Sequence, residues 1–254
     1  MARILYAGDT SLTTAASYLA GILTRSGLAF DYVAGDQGAG PLLAAPHALY
    51  ILSDYPVNRW REGELALLRQ RVADGAGLLM IGGWESFRGA AGGYDGTPLA
   101  EVLPVEMAEA DDRVNCPQPC LVEIAEGMAD HPILAGLPFD RPPGIGGYNR
   151  VSPRLATTTL LSARQFEARL DCEGRFDLRP GAAAPLLVLG GLGRGRTAAF
   201  TSDVAPHWVG GLVDWGDRRI TARAPGAEAI EVGNWYAEFF TRLVRWTMGE
   251  LGGD

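Results

Sequence analysis

The N-terminal part of the chain alternates short apolar runs with longer segments in which apolar residues recur every three or four positions. Short, continuous apolar runs are typical of strands buried on both faces, and the longer recurrence is typical of helices packed against them. Strands are predicted over residues 3–8, 30–33, 48–52 and 78–81. This order of elements favours an α/β fold, with a mostly parallel sheet covered by helices on both faces.

Three amphipathic helices are predicted from the spacing of apolar residues. The first follows Asp9, Thr10 and Ser11, which are residue types that cap helices, and it ends at Gly27. The apolar stripes of the second and the closing helix consist of Leu65, Leu68 and Val72, and of Trp235, Phe239, Leu243 and Trp246.

The middle of the chain has a less regular pattern. Residues 82–96 are too rich in glycine for a helix or a strand and predict a long loop. Candidate strands over residues 121–124 and 158–162 lie in a proline-rich stretch, and residues 185–200 predict two strands around a glycine turn. We therefore expect an irregular insertion over about residues 84–165.

Composition narrows the chemistry that this chain can perform. All 22 residues counted as Lys or Arg are arginine, which removes the phosphate-binding lysine of P-loop proteins and the Schiff-base lysine of pyridoxal enzymes. The formal charge of −8 repels phosphate backbones and anionic bilayers, so neither nucleic acid nor a membrane is an expected partner. The 254 residues are expected to form a single domain.

Cysteine usage and the N-terminal residues predict a cytoplasmic protein. Three cysteines in a chain of this length suit a reducing compartment better than a disulfide scaffold, and no signal-peptide pattern precedes the first strand. Cys116 and Cys120 lack a second Cys/His pair at zinc-ligand spacing. We expect these thiols and Cys172 to be structural or incidental, and we predict no metal or cofactor.

Polar residues follow the carboxyl ends of four predicted strands. They are Asp9, Thr10 and Ser11, then Asp54, then Gly83, Trp84, Glu85 and Ser86, and finally Asp203 and His207. Open α/β sheets bind ligands beyond the carboxyl ends of their strands, so these side chains are expected to meet in one small-molecule site. Taken one at a time, Asp9 and Ser11 have a simpler explanation as helix caps, and Asp54 as a turn residue.

Six short segments carry a resemblance to a known family. They are ILSDYP, GLLMIGGWESFRG, DDRVN, DHPILAGLP, GGYN and GRGRTAAFTSDVAPHW, and they are spread over residues 51–208. In these segments the sequence resembles the class I glutamine amidotransferase-like proteins, near the trehalose-utilisation (ThuA-like) group. The resemblance implies a flavodoxin-like, three-layer α/β/α sandwich.

The sequence departs from the family pattern where glutamine hydrolysis would take place. Class I amidotransferases carry a nucleophilic cysteine on the turn after the strand that aligns with residues 78–81, and a His-x-Glu pair after the last strand. Here Gly82 and Gly83 form that turn, and no carboxylate stands two residues after His207. Because glutamine hydrolysis by class I amidotransferases needs this thiolate with a nearby imidazole, we expect no glutaminase activity.

Two hypotheses from different classes remain, beside a third in which the chain is an amidotransferase subunit with a substituted nucleophile. In the first, the strand ends bind or transform a small polar compound, such as a sugar, because carboxylates accept hydroxyl hydrogen bonds while an indole stacks on an apolar ring face. His207 with Asp203 or Glu85 is then the candidate acid/base pair. The alternative is a catalytically silent domain for assembly or partner binding, a homo-oligomer included, with loop tryptophans as anchors.

Overall fold

Fourteen strands and four α-helices form in the residues that the computed structural model describes, which are residues 3–90 and 93–252. The strands are β1 (Ile4–Gly8), β2 (Phe30–Val33), β3 (Leu49–Ser53), β4 (Gly77–Ile81), β5 (Val105–Met107), β6 (Arg113–Asn115), β7 (Cys120–Ile124), β8 (Gly147–Asn149), β9 (Val151–Pro153), β10 (Thr158–Leu170), β11 (Phe176–Leu192), β12 (Gly195–Phe200), β13 (Arg219–Ala222) and β14 (Ile230–Gly233). The α-helices are α1 (Ala16–Arg25), α2 (Glu64–Ala73), α3 (Pro206–Val209) and α4 (Asn234–Thr247). Short 3-10 helices cover Gly40–Ala44, Val57–Arg59, Tyr94–Gly96, Pro98–Glu101 and Gly210–Asp214. Of the predicted 82–96 loop, Ala91 and Gly92 lie outside the described residues.

Eight strands form one central sheet in the order β2-β1-β3-β4-β12-β11-β10-β7. Strands β2, β1, β3, β4 and β12 pair in parallel, and β11, β10 and β7 extend the sheet through antiparallel pairs. Three further antiparallel pairs, β5 with β9, β6 with β8 and β13 with β14, lie outside this sheet. The predicted α/β fold with a mostly parallel sheet is confirmed.

The central sheet is the middle of three layers. Successive side chains of a strand point to opposite faces, so Ile4 and Tyr6 pack with α1 and α4 while Leu5 and Ala7 pack with α2. Burial on both faces explains why β1 reads as a continuous apolar run. The flavodoxin-like sandwich implied by the resemblance is therefore confirmed.

The first helix starts later than the sequence predicts. Helix α1 begins at Ala16, and no side chain caps it; a turn closed by the Thr14 N–H and the Ser11 carbonyl precedes it. The prediction that Asp9, Thr10 or Ser11 caps this helix is therefore wrong, and their side chains are not tied to its first turn. No helix in the described ranges is long and apolar enough to cross a membrane.

Strands β10 and β11 are much longer than predicted and form a projecting hairpin. Residues 166–170 of β10 pair only with β11, since β7 covers β10 no further than Gln165. The hairpin exposes three large apolar side chains, Leu170, Phe176 and Leu178. The sequence pattern does not predict this extension, because both faces of the hairpin are exposed. A strand without a buried face need not alternate apolar and polar residues.

Candidate functional site

Three aspartates from three strands meet at the carboxyl edge of the parallel sheet. Asp9 follows β1, Asp54 follows β3, and Asp203 follows β12. Asp9 and Asp203 are buried and Asp54 is half-buried. Adjacent parallel strands end at the same edge, which is why residues so distant along the chain come together as the sequence predicts.

The aspartates hold protons more tightly than exposed carboxyl groups do. Burial raises the pKa of Asp9, and the nearby Asp203 and Asp54 carboxylates raise it further, although a hydrogen bond from the Tyr6 hydroxyl opposes this. Burial also raises the pKa of Asp54. For Asp203, burial together with the charge of Asp54 raises the pKa to about 7. Asp203 can therefore gain or lose a proton near neutral pH.

The backbone at this edge adopts a conformation that non-glycine residues rarely take. Among the described residues, those with positive φ outside glycine are Asp9, Thr10, Asp54, Phe87 and Ala156. The first four lie on the turns that follow β1, β3 and β4. Such strain persists only where the surrounding structure enforces it, and it often marks functional sites.

Asp54 is fixed by the loop after β4. The Ser86 hydroxyl accepts the Asp54 N–H at 3.0 Å and donates to the Ile81 carbonyl at 2.5 Å, so buried Ser86 lies beneath the site as a support. Asp54 Oδ1 accepts the Glu85 N–H at 2.5 Å. A Cβ atom at Gly83 would stand 2.6 Å from Asp54 Cγ, so only glycine permits this approach.

Trp84 forms an exposed aromatic rim beside the aspartates. Its side chain is 48% exposed, the Arg113 guanidinium carbon lies 4.5 Å from the ring centroid, and the His207 ring is edge-on with centroids 6.2 Å apart. A guanidinium over an indole face is a cation–π contact, which holds the ring in place. The predicted Trp84 and His207 are therefore in contact, and the backbone of Glu85, the residue after Trp84, donates to Asp54.

The two members of the predicted acid/base set on the last turn face different surroundings. Asp203 Oδ1 accepts the backbone N–H groups of Val204 at 2.6 Å and Ala205 at 3.1 Å, and Asp203 packs near Asp9. His207 is exposed and lies against Trp84. Glu85 is half-buried and lies near Asp54. Burial raises the pKa of Glu85, and the negative charge of Asp54 raises it further.

Thr10, Ser11, Asp54 and Glu85 line an open cleft of about 470 Å³. Asp36 and Gln37 also line it. A cleft of this volume with several polar side chains can take a small polar molecule. Across residues 3–90 and 93–252, no three His, Cys, Asp or Glu side chains are grouped to hold a metal ion.

Sequence reasoning missed a buried pair that shapes the loop after β4. Asn149 exchanges two hydrogen bonds with the Gly83 backbone, each 3.0 Å long, and its amide donates to Asp112 Oδ1 at 2.8 Å. Asp112 in turn accepts the N–H groups of Arg88 and Gly89. Both residues are fully buried. Their only signal in the sequence is their place in the DDRVN and GGYN segments.

The turn that would carry the amidotransferase nucleophile is built from glycine. The Gly82 N–H donates to the carbonyls of Phe200 and Ser202, which ties the turn to the end of β12. Cys120 lies in β7, with β12, β11 and β10 between it and β4. Cys172 is exposed on the turn of the β10–β11 hairpin.

Comparison with known proteins agrees with this architecture. Cytoplasmic Protein STM3548 from Salmonella typhimurium is 24% identical with a TM-score of 0.70, over 96% of this chain and 98% of that chain. Cytoplasmic Protein STM1381 from Salmonella typhimurium LT2 is 25% identical with a TM-score of 0.70, over 96% and 99%. A ThuA-like protein from Bacteroides uniformis shares the fold at 15% identity and a TM-score of 0.54, over 97% and 91%. Curated protein sequences gave no match.

A family model matches most of the chain directly. The GATase1-like model, described as "Putative glutamine amidotransferase", matches residues 26–220. The match includes the strand ends that carry Asp54, Trp84 and Asp203, and the resemblance seen in the sequence is confirmed. The chain therefore belongs to the GATase1-like family.

Proposed function

We propose that this GATase1-like protein binds a small, hydroxyl-bearing polar compound, such as a sugar, at the carboxyl edge of its sheet and does not hydrolyse glutamine. The observation that carries the proposal is the meeting of Asp9, Asp54 and Asp203 at this edge, where Asp54 lines a polar cleft and Asp9 and Asp203 are buried behind it. Because the pKa of Asp203 is about 7, its carboxyl group can both donate and accept hydrogen bonds near neutral pH, which suits a ligand rich in hydroxyls.

Each residue at this edge has a place in the proposal. Thr10, Ser11 and Glu85 face the ligand from the cleft walls, and the exposed Trp84 ring stacks on its apolar side. Asp203 exchanges a proton with the ligand if chemistry follows binding, and His207 with Glu85 completes the acid/base set.

A cytoplasmic location belongs to this proposal as well. It is supported by the likeness to two Salmonella proteins that are named as cytoplasmic proteins, and by the three cysteines, which are free thiols. The alternative of an assembly domain loses most of its tryptophan anchors, because Trp60, Trp208, Trp215 and Trp246 are buried.

The purified protein is expected to release no ammonia from glutamine above background. The reason is that a glycine turn stands where the thiolate would attack the amide carbon. The matched control is a variant with all three cysteines replaced by serine. A higher rate for the natural protein than for this variant would contradict the proposal.

Sugars and polyols that bind are expected to raise the melting temperature of the natural protein and to lose this effect in His207→Ala and Glu85→Ala variants. The measurement is a thermal-shift screen with a panel of mono- and disaccharides and linear polyols. Asp140→Asn, a change at an exposed acidic residue, is the control that should keep the shift. Equal shifts in all four proteins would place binding elsewhere.

A further inference from the structure

Cys116 and Cys120 close the base of a small loop. The Cys116 N–H donates to the Gly146 carbonyl at 2.9 Å, and the Cys120 carbonyl accepts the Ile145 N–H at 2.9 Å. The two cysteines are thus paired with consecutive residues of one neighbouring segment, whose Cα atoms are about 3.8 Å apart. Residues 117–119 bulge outward into solvent between them.

The loop is held in this shape from its outer side. The Phe166 N–H donates to the Pro119 carbonyl at 2.9 Å, and the Gln118 side-chain oxygen accepts the Ala168 N–H at 2.7 Å. Prolines at 117 and 119 restrict the backbone further. Little conformational freedom is left to lose if the two cysteines become linked.

The two cysteines are neighbours at the base of the loop and have unequal environments. Cys116 is half-buried, whereas Cys120 is buried. The Cys120 thiol donates a hydrogen bond to Cys116, which lowers the Cys116 pKa, and Gln165 lowers it further, although burial opposes both. The same hydrogen bond, followed by burial, raises the pKa of Cys120. Cys116 is therefore the accessible nucleophile and Cys120 the partner behind it.

We propose that Cys116 and Cys120 form a reversible redox-active dithiol, oxidised to an intramolecular disulfide by a low-molecular-weight disulfide. The Cys116 thiolate attacks one sulfur of the reagent, whose S–S bond breaks and releases a thiolate that takes up a proton. Cys120 then gives up its proton and attacks Cys116 Sγ, which breaks the mixed disulfide and releases the second reagent thiol. Two electrons pass from the protein dithiol to the reagent disulfide.

This inference is independent of the proposed ligand. The two thiols are not part of the proposed ligand site. Cys116 does follow β6 directly, and Arg113 of that strand lies over the Trp84 ring. A test with a thiol reagent therefore stays informative whether or not a sugar binds.

The test is oxidation of the folded protein with oxidised glutathione, followed by alkylation, cleavage after arginine and mass spectrometry. The peptide covering residues 114–150 contains both Cys116 and Cys120, and a separate peptide contains Cys172. In a Cys172→Ser background we expect the 114–150 peptide to lose two hydrogens, to resist alkylation and to recover both thiols after reduction. Cys120→Ser should stop at a stable glutathione adduct on Cys116.

Cys172 of the natural protein serves as the internal control, because it is exposed and has no thiol partner that could displace glutathione from it among the described cysteines. If Cys172 is fully glutathionylated while the 114–150 peptide keeps two alkylatable thiols, the proposal is wrong. It is equally wrong if Cys120→Ser protects Cys116 from the reagent, since Cys116 is then not the attacking group.

Discussion

Replacing Asn149 with alanine is expected to lower the free energy of unfolding by about 3 kcal/mol. The change removes the amide that pairs with both the N–H and the carbonyl of Gly83, and it leaves the buried Asp112 with one partner fewer. Each buried polar group left without its hydrogen bond costs about 1–3 kcal/mol. Urea unfolding followed by tryptophan fluorescence measures the loss.

The matched control is Asn58→Ala, which removes the same amide from an exposed position. Its effect is expected to stay within about 0.5 kcal/mol. The Asn149 variant should also lose ligand-induced stabilisation, because the Gly83 backbone that it releases packs against Asp54. A loss of stability no greater than that of the control would show that Asn149 does not hold this loop.

Replacing Asp203 with asparagine is expected to stabilise the protein at about pH 8, by about 2–4 kcal/mol. The pKa of Asp203 rises from its ordinary value of 3.8 to about 7 in the folded protein, first through burial and then through the charge of Asp54. At a pH between these two pKa values, the Asp203 carboxyl group is protonated in the folded protein and ionised in the unfolded protein. Stability contributed by this group therefore falls as the pH rises from about 4 to 7.

Asparagine removes the charge and keeps the oxygen that accepts the Val204 and Ala205 N–H groups. The gain should be full above about pH 7 and largely gone near pH 4, where aspartate is neutral in both states. Denaturation curves at several pH values test this. Asp217→Asn makes the same change of charge at an exposed site and should give no comparable gain.

The same Asp203 variant separates function from stability. If Asp203 binds the ligand, the substitution should abolish sugar-induced stabilisation while it raises the stability of the free protein. Functional residues often lower the stability of the fold in this way. A variant that is destabilised at about pH 8 would mean that ionised Asp203 is well solvated or paired in the native protein.

Much of the architecture follows from local sequence pattern. The runs at residues 4–8 and 77–81 are apolar throughout because both of their faces are buried, and the aromatic stripe of α4 lies on the sheet where Phe200 meets Phe239 and Phe240. The convergence of the acidic residues was also predictable. Parallel strands end at one edge, so strand order alone brings residues that follow their ends together.

Local pattern could not predict the supports of the site or the contacts around the thiols. Gly83 and Asn149 are 66 residues apart, and nothing in the composition of either neighbourhood indicates the other. The projecting part of the β10–β11 hairpin was not predicted because its exposed residues form no buried face. The predicted start of α1 was wrong because Asp9 and Thr10 have positive φ angles, which form a turn and not a helix.

By itself the sequence determined the α/β class, the buried strands, the edge where polar groups gather and the glycine turn in place of a nucleophilic cysteine. Only the tertiary structure decided which carboxyl groups are buried together, which loops Asn149 and Ser86 fix, and that Cys116 and Cys120 lie side by side at the base of a loop. The physical reason is that apolar periodicity reports the burial of each residue within its own element. Proton affinity and thiol contact instead depend on the distances between elements, which are set when the layers pack.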